Sequence, residues 1–100
     1  MSVRRNTISL TAATKTDFRD ILSYTMQTWG QAQRIEYKRK LDQALQAIIA
    51  TDPRRRKKRH GLFIYQAGRH RIFYHVEDNQ ISVLRILYDR MDAGRHLTDT

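Results

Sequence analysis

One hundred residues, 40% of them apolar, suffice for one core and no second one. The chain has no cysteine, which excludes a disulfide framework and a thiolate metal site, and no apolar run approaches the roughly 20 residues that a membrane-spanning helix needs. Nineteen Lys and Arg against ten Asp and Glu leave a net charge of +9; six of the cations form one run, Arg54-Arg55-Arg56-Lys57-Lys58-Arg59, without which the remainder carries +3. A field of this sign favours nucleic acid, an acidic protein partner or both. Arg4 and Arg5 are not followed by an apolar stretch, so the N-terminus does not read as a secretory leader, and with the missing cysteines this points to the cytoplasm.

In chain order, Val3–Ser9 alternates weakly toward Ile8 and Leu10 and is expected to form an edge strand. Thr11 offers an N-cap hydroxyl to a helix from Ala12 to about Thr28, along which Thr14, Phe18, Ile21, Leu22, Thr25 and Trp29 recur at three- and four-residue intervals. Gly30 supplies a left-handed stop. A second helix is expected from about Gln31 to Ala50, with the stripe Tyr37, Leu41, Ala44, Leu45, Ile48 and Ile49, ended by Asp52-Pro53. The tight junction at Trp29-Gly30-Gln31 implies an antiparallel helical hairpin.

After Pro53 the period changes from 3.6 to 2. Leu62–Gln66, His70–Val76 and Ile81–Tyr88 read as strands, the last two joined by the turn residues Asp78-Asn79. The order β-α-α-β-β-β predicts an α+β fold, a helical hairpin packed on a small antiparallel sheet, with residues 1–100 forming one domain. A two-residue turn would oppose Val76 to Ile81, Tyr74 to Val83, Ile72 to Arg85 and His70 to Leu87 on the face toward the helices. Arg85 would then need a carboxylate or carbonyl partner. The other face would carry His75 with Ser82, Phe73 with Leu84, Arg71 with Ile86 and Arg69 with Tyr88, so that Arg69, Arg71 and Tyr88 converge on an open surface. Arginine forks bind phosphate or carboxylate, and a tyrosine ring stacks on a base or fills a partner's pocket.

Four stretches together resemble ParE toxins, a branch of the RelE/ParE toxin–antitoxin family. They are Ser9-Leu10-Thr11 with Thr14, Asp17-Phe18, Ile21, Tyr24 and Trp29-Gly30; Tyr37, Leu41 and Asp52-Pro53; Gly68-Arg69-His70-Arg71-Ile72-Phe73-Tyr74; and Arg85-Ile86-Leu87-Tyr88 followed by Arg90-Met91-Asp92 and His96-Leu97. Thr11, Thr14 and Phe18 stand where Ser, Ala and Leu are usual, and Tyr88 stands where His is usual. The resemblance implies the toxin component of a type II toxin–antitoxin system that poisons DNA gyrase by binding, needs no cofactor, and is neutralised by an acidic, partly disordered antitoxin. It also implies that Arg69, Arg71, Tyr88, Arg90, Met91 and Asp92 contact the target or the antitoxin.

The alternative is a ribosome-dependent mRNA endonuclease like those of the RelE branch. Cleavage would require side chains that activate the ribose hydroxyl, stabilise the phosphorane and protonate the leaving oxygen. Arg71 and Tyr88 are the candidates here, with Lys57 or Lys58 from the basic run. That run, Arg54 to Arg59, reads in three ways: a phosphate-backbone track, a surface that attracts the acidic antitoxin, or a solvated loop. The histidines His60, His70, His75 and His96 lack metal-like spacing, so no metal site is expected.

Overall fold

Both helices start and stop where the sequence places them. The computed structural model describes residues 6–51 and 53–90, in the order β1 (Thr7–Leu10), α1 (Ala12–Trp29), α2 (Gln31–Ala50), a 3-10 turn (Pro53–Arg55), β2 (Lys58–Arg59), β3 (Leu62–Ala67), β4 (His70–Glu77) and β5 (Gln80–Tyr88). Thr11 caps α1, its hydroxyl accepting the Thr14 N–H at 3.1 Å. Gly30 at φ +94° ends α1 and begins α2, a conformation that favours glycine.

The sheet has five strands in the order β1-β5-β4-β3-β2. This corrects the expected antiparallel meander in two respects. β1 lies parallel to β5, with Thr7 to Leu10 beside Gln80 to Val83. A further strand, β2, forms inside the basic run and pairs with Leu62 and Phe63 across a turn at His60-Gly61, both of positive φ. Leu41, Ala44 and Ile48 of α2 pack on Ala67, Ile72, Tyr74, Ile81, Val83 and Ile86, with Phe18 and Ile21 of α1 alongside. Complete burial of residues such as Leu41 and Ile48 contributes roughly 1.5–3 kcal/mol each. No side chain from Ser23 to Lys40 is fully buried, so the end of the hairpin projects past this core and leaves Trp29 69% exposed.

A β-bulge decides the faces of the last strand. Register runs as expected from the Asp78-Asn79 turn through Val76 with Ile81 and Tyr74 with Val83; then Phe73 pairs with Arg85, and Leu84 is the extra residue. Beyond it, Ile72 opposes Ile86, Arg71 opposes Leu87 and His70 opposes Tyr88. One inserted residue exchanges the faces of everything that follows.

The start of α1 holds this bulge, because β1 ends at Leu10 and leaves that edge of β5 without a strand among the described residues. Thr11 donates its backbone N–H to the Val83 carbonyl at 3.1 Å and its hydroxyl to the Leu84 carbonyl at 3.1 Å. Buried Thr14 donates to the Val83 carbonyl at 2.8 Å. Asp17 accepts two hydrogen bonds from Arg85, at 2.7 and 2.9 Å, and one from the Ile86 N–H at 3.0 Å. The expected carboxylate partner of Arg85 is therefore present, although Arg85 lies opposite Phe73 and not opposite Ile72. Thr11, Thr14 and Asp17 are spaced by three residues and so lie along one side of the first two turns of α1.

Candidate binding groove

The basic run is positioned from inside the core. Tyr74, fully buried, donates its phenol to the Pro53 carbonyl at 2.6 Å and fixes the 3-10 turn that opens the run. Arg54 donates to the Asp78 carbonyl at 2.7 Å. Arg56 lays its guanidinium over the Tyr65 ring, 4.6 Å from the centroid, and donates to the Thr51 hydroxyl at 3.0 Å; its Nε is buried with no partner among the described residues. The Lys57 carbonyl accepts the Ile64 N–H at 3.0 Å, and Lys58 sits 4.9 Å over the Phe63 ring.

Because β2 is only two residues long, the outer edge of β3, away from β4, has no strand beside it from Tyr65 onward among the described residues. A groove of about 740 Å³ opens there. Arg56, Lys57, Lys58 and Arg59 line it from the basic run and Arg71 from β4, with Ile64, Tyr65 and Gln66 between them. Thus two sets of residues that the sequence treats separately, the basic run and Arg71, share one surface.

Tyr88 belongs elsewhere. The bulge moves it off the face of Arg71 and onto the helix side, opposite His70, where the two rings lie 5.6 Å apart. This corrects the expected convergence of Arg69, Arg71 and Tyr88. Arg69 lies in the β3–β4 turn and not on a strand; its N–H donates to the Tyr37 phenol oxygen at 3.2 Å, and its carbonyl accepts the Asp89 N–H at 2.9 Å. The Tyr37 oxygen also lies 2.5 Å from His70 Nδ1. Burial holds the His70 imidazole below its ordinary pKa, partly offset by Asp89 and Asp17, and burial also raises the Tyr37 phenol. The Tyr37 hydroxyl also stands 3.3 Å from the Ala67 carbonyl, and these contacts tie α2 to the β3–β4 turn and the start of β4.

Asp89 closes this end of the sheet. Gln66 Nε2 donates to it at 2.7 Å and to the carbonyls of Gly68 and His70 at 2.9 and 3.2 Å, and Arg71 Nε stands 3.7 Å from it. Arg90 is exposed, whereas Met91 and Asp92 lie outside the described residues. Among the described residues, no three His, Asp or Glu side chains gather as metal ligands would.

The family model described as "ParE toxin of type II toxin-antitoxin system, parDE" matches residues 8–93. The chain belongs to the ParE toxin family. It is 34% identical over 92 residues to Toxin ParE1 of Caulobacter vibrioides and 33% identical over 93 residues to Toxin ParE1 of Mycobacterium tuberculosis, in each case spanning 88% of this chain and 94% of the relative. The fold is similar to that of a chain in a chromosomal ParDE toxin–antitoxin system from P. aeruginosa, with a TM-score of 0.74 at 11% identity over 84% of this chain and 96% of that one. It is also similar to a chain in a YoeB-YefM complex from Staphylococcus aureus, with a TM-score of 0.51 at 20% identity over 85% and 98%.

For this ParE toxin, several residues of the opening motif have a structural role in the described fold: Thr11, Thr14 and Asp17 hold the bulge of β5. Sequence reasoning missed Tyr37, His70, Gln66 and Asp89 as one hydrogen-bonded cluster. Their numbers share no period, since they come from α2, two strands and the residue after β5. A partial signal was there for Tyr37, the one phenol in an otherwise aliphatic stripe, since a buried tyrosine seeks a partner for its hydroxyl.

Proposed function

We propose that this toxin acts in the cytoplasm as a binder and not as a nuclease: residues 1–100 work as one toxin domain that engages DNA gyrase and blocks its catalytic cycle, and an acidic antitoxin neutralises it. The observation that carries the reading is the separation of Arg71 from Tyr88. Ribonuclease chemistry needs a base, a phosphorane-stabilising cation and an acid around one phosphate, and these two candidates lie on opposite faces of the sheet. The ParE family match supports the same choice, and the +9 charge suits capture of an acidic antitoxin by long-range attraction. By analogy with the ParDE and YoeB-YefM assemblies, the antitoxin partner occupies the toxin in a hetero-oligomer.

The second reading, an mRNA endonuclease, rests on the groove that brings Arg71 close to Lys57 and Lys58. Two assays run in parallel separate the readings: supercoiling by purified gyrase, and cell-free translation with mapping of mRNA ends. Loss of supercoiling with trapped cleavage complexes and intact mRNA is the expected result. Intact supercoiling with cut mRNA would overturn the proposal.

A further inference from the structure

Two surfaces of the molecule present opposite chemistry. Ile21 to Gln33, around the tip of the helical hairpin, contains no charged residue in a chain that is 29% charged. That tip exposes Tyr24, Met26 and Trp29, with Ile35 just beyond. The groove at the β2–β3 edge is the reverse: among the described residues, five of the eight that line it are cations, and none is acidic. Among the described residues no carboxylate pairs with Lys57, Lys58 or Arg59, while Arg71 has Asp89 at 3.7 Å. The buried Nε of Arg56, beside the same groove, is a donor without an acceptor among the described residues. Clustered like charges repel one another, and the fold holds them in place through Tyr74 and the Arg56–Tyr65 stack, so their arrangement fits an anionic occupant.

A polypeptide that orders on binding must bury apolar surface to offset its lost freedom. Here the apolar lining is limited to Ile64 and to Tyr65, one face of which Arg56 already covers. A phosphodiester backbone needs no apolar contact, only cations along its path. We infer that the groove formed by Lys57, Lys58, Arg59 and Arg71 binds the phosphodiester backbone of a nucleic acid directly, without reading sequence. This goes beyond the gyrase reading and does not depend on it, because it concerns a contact made by the toxin alone. With Arg56 covering one face of Tyr65, the only ring among the described lining residues, stacking contributes less than charge, so affinity follows charge density and duplex DNA binds more tightly than a single strand.

The test uses fluorescence anisotropy with labelled 20-nucleotide duplex DNA, single-stranded DNA and single-stranded RNA, between 50 and 200 mM salt. Four phosphate contacts give a slope of log K against log salt of about −3.6 for duplex and about −2.8 for single strands. For the duplex this is a fall of about 150-fold over that range. The variant Lys57→Gln/Lys58→Gln/Arg59→Gln should retain a slope of about −0.9, and Arg71→Gln about −2.7. A control of equal charge loss, Lys15→Gln/Arg19→Gln/Arg34→Gln, should leave the slope unchanged. Should the triple groove variant fail to fold, Lys57→Gln and Arg59→Gln singly, each removing about 0.9 from the slope, make the same test.

An equal loss in the control would overturn the inference, since the binding would then follow net charge and not the groove. Tighter binding of a single strand with a preference for one base would also overturn it, because that pattern belongs to stacking. So would a 20-residue polyglutamate that outcompetes the duplex, which would assign the groove to an acidic polypeptide.

Discussion

Asp17 should be among the costliest exposed-helix carboxylates to remove, because three donors converge on it. Its side chain is 12% exposed and that of Arg85 21%. Asp17→Ala leaves a largely buried guanidinium without its counter-charge and removes the acceptor of the Ile86 N–H, at an edge where β1 no longer reaches. Breaking one side of a buried pair costs about 3–5 kcal/mol. The remaining water access of Arg85 places this case at the lower end, about 3 kcal/mol. For a domain of this size that is a drop in Tm of about 12–24 °C. Urea denaturation of purified protein, with an unchanged m-value, measures it directly. The double variant Asp17→Ala/Arg85→Leu removes the orphaned charge and should recover about half of the loss. A deficit of about 1–2 kcal/mol should remain for the unpaired Ile86 N–H. If Asp17→Ala costs less than about 1 kcal/mol, or if the double variant is no more stable than the single one, the account of the clamp is wrong.

Thr14→Ala, which installs the residue usual at this position in ParE toxins, should cost about 1–2 kcal/mol in the same assay, because it removes the buried 2.8 Å bond to the Val83 carbonyl. Gly68→Ala places a Cβ 2.9 Å from the Tyr37 phenol oxygen at φ +60°, so it should cost about 2 kcal/mol or more. Gly61→Ala, at φ +77° with nothing within 4 Å, should cost about 1 kcal/mol, and equal losses at the two glycines would refute the contact with Tyr37. The lowered pKa of His70 means that the folded state binds this proton less readily than the unfolded chain does. Its contribution is therefore present above pH 6.5, the ordinary value, and is lost as the pH falls below it through the folded pKa. Thermal denaturation from pH 8 to pH 5 should show a steeper loss below pH 6.5 in the wild type than in His70→Gln; parallel curves would exclude His70 as the cause.

The helical hairpin was legible because its signals are local. A threonine hydroxyl caps α1, a glycine separates the helices, and apolar residues repeat at the helical period. The β4–β5 turn was legible for the same reason, as Asp78-Asn79 is a pair of residues suited to a two-residue hairpin. Two features were not. β2 is two residues of a polycationic run, and its pairing depends on Tyr74 anchoring Pro53 from 21 residues away. The bulge at Leu84 is stabilised by Thr11, Thr14 and Asp17, some 70 residues earlier, and nothing in Val83-Leu84-Arg85 itself announces it. The candidate site inherited that error. Arg71 was placed on the correct face because β4 carries no irregularity before it, whereas Tyr88, beyond the bulge on β5, was not.

The bulge also has a bearing on how such chains diverge. Up to Val83 the odd-numbered residues of β5 face the helices; from Ile86 onward the even-numbered ones do. Loss of a single codon at Leu84 would restore one parity along the whole strand. It would leave Leu87 opposite Arg71 and Tyr88 opposite His70, because the pairs beyond the bulge are those of a regular ladder that skips Leu84. A length change of one residue at the bulge is thus a mutational step that straightens the strand and keeps both molecular surfaces. In comparing relatives, a one-residue gap between positions 82 and 86 marks loss of the bulge with the surfaces kept, whereas regular pairing through a strand of unchanged length would exchange them.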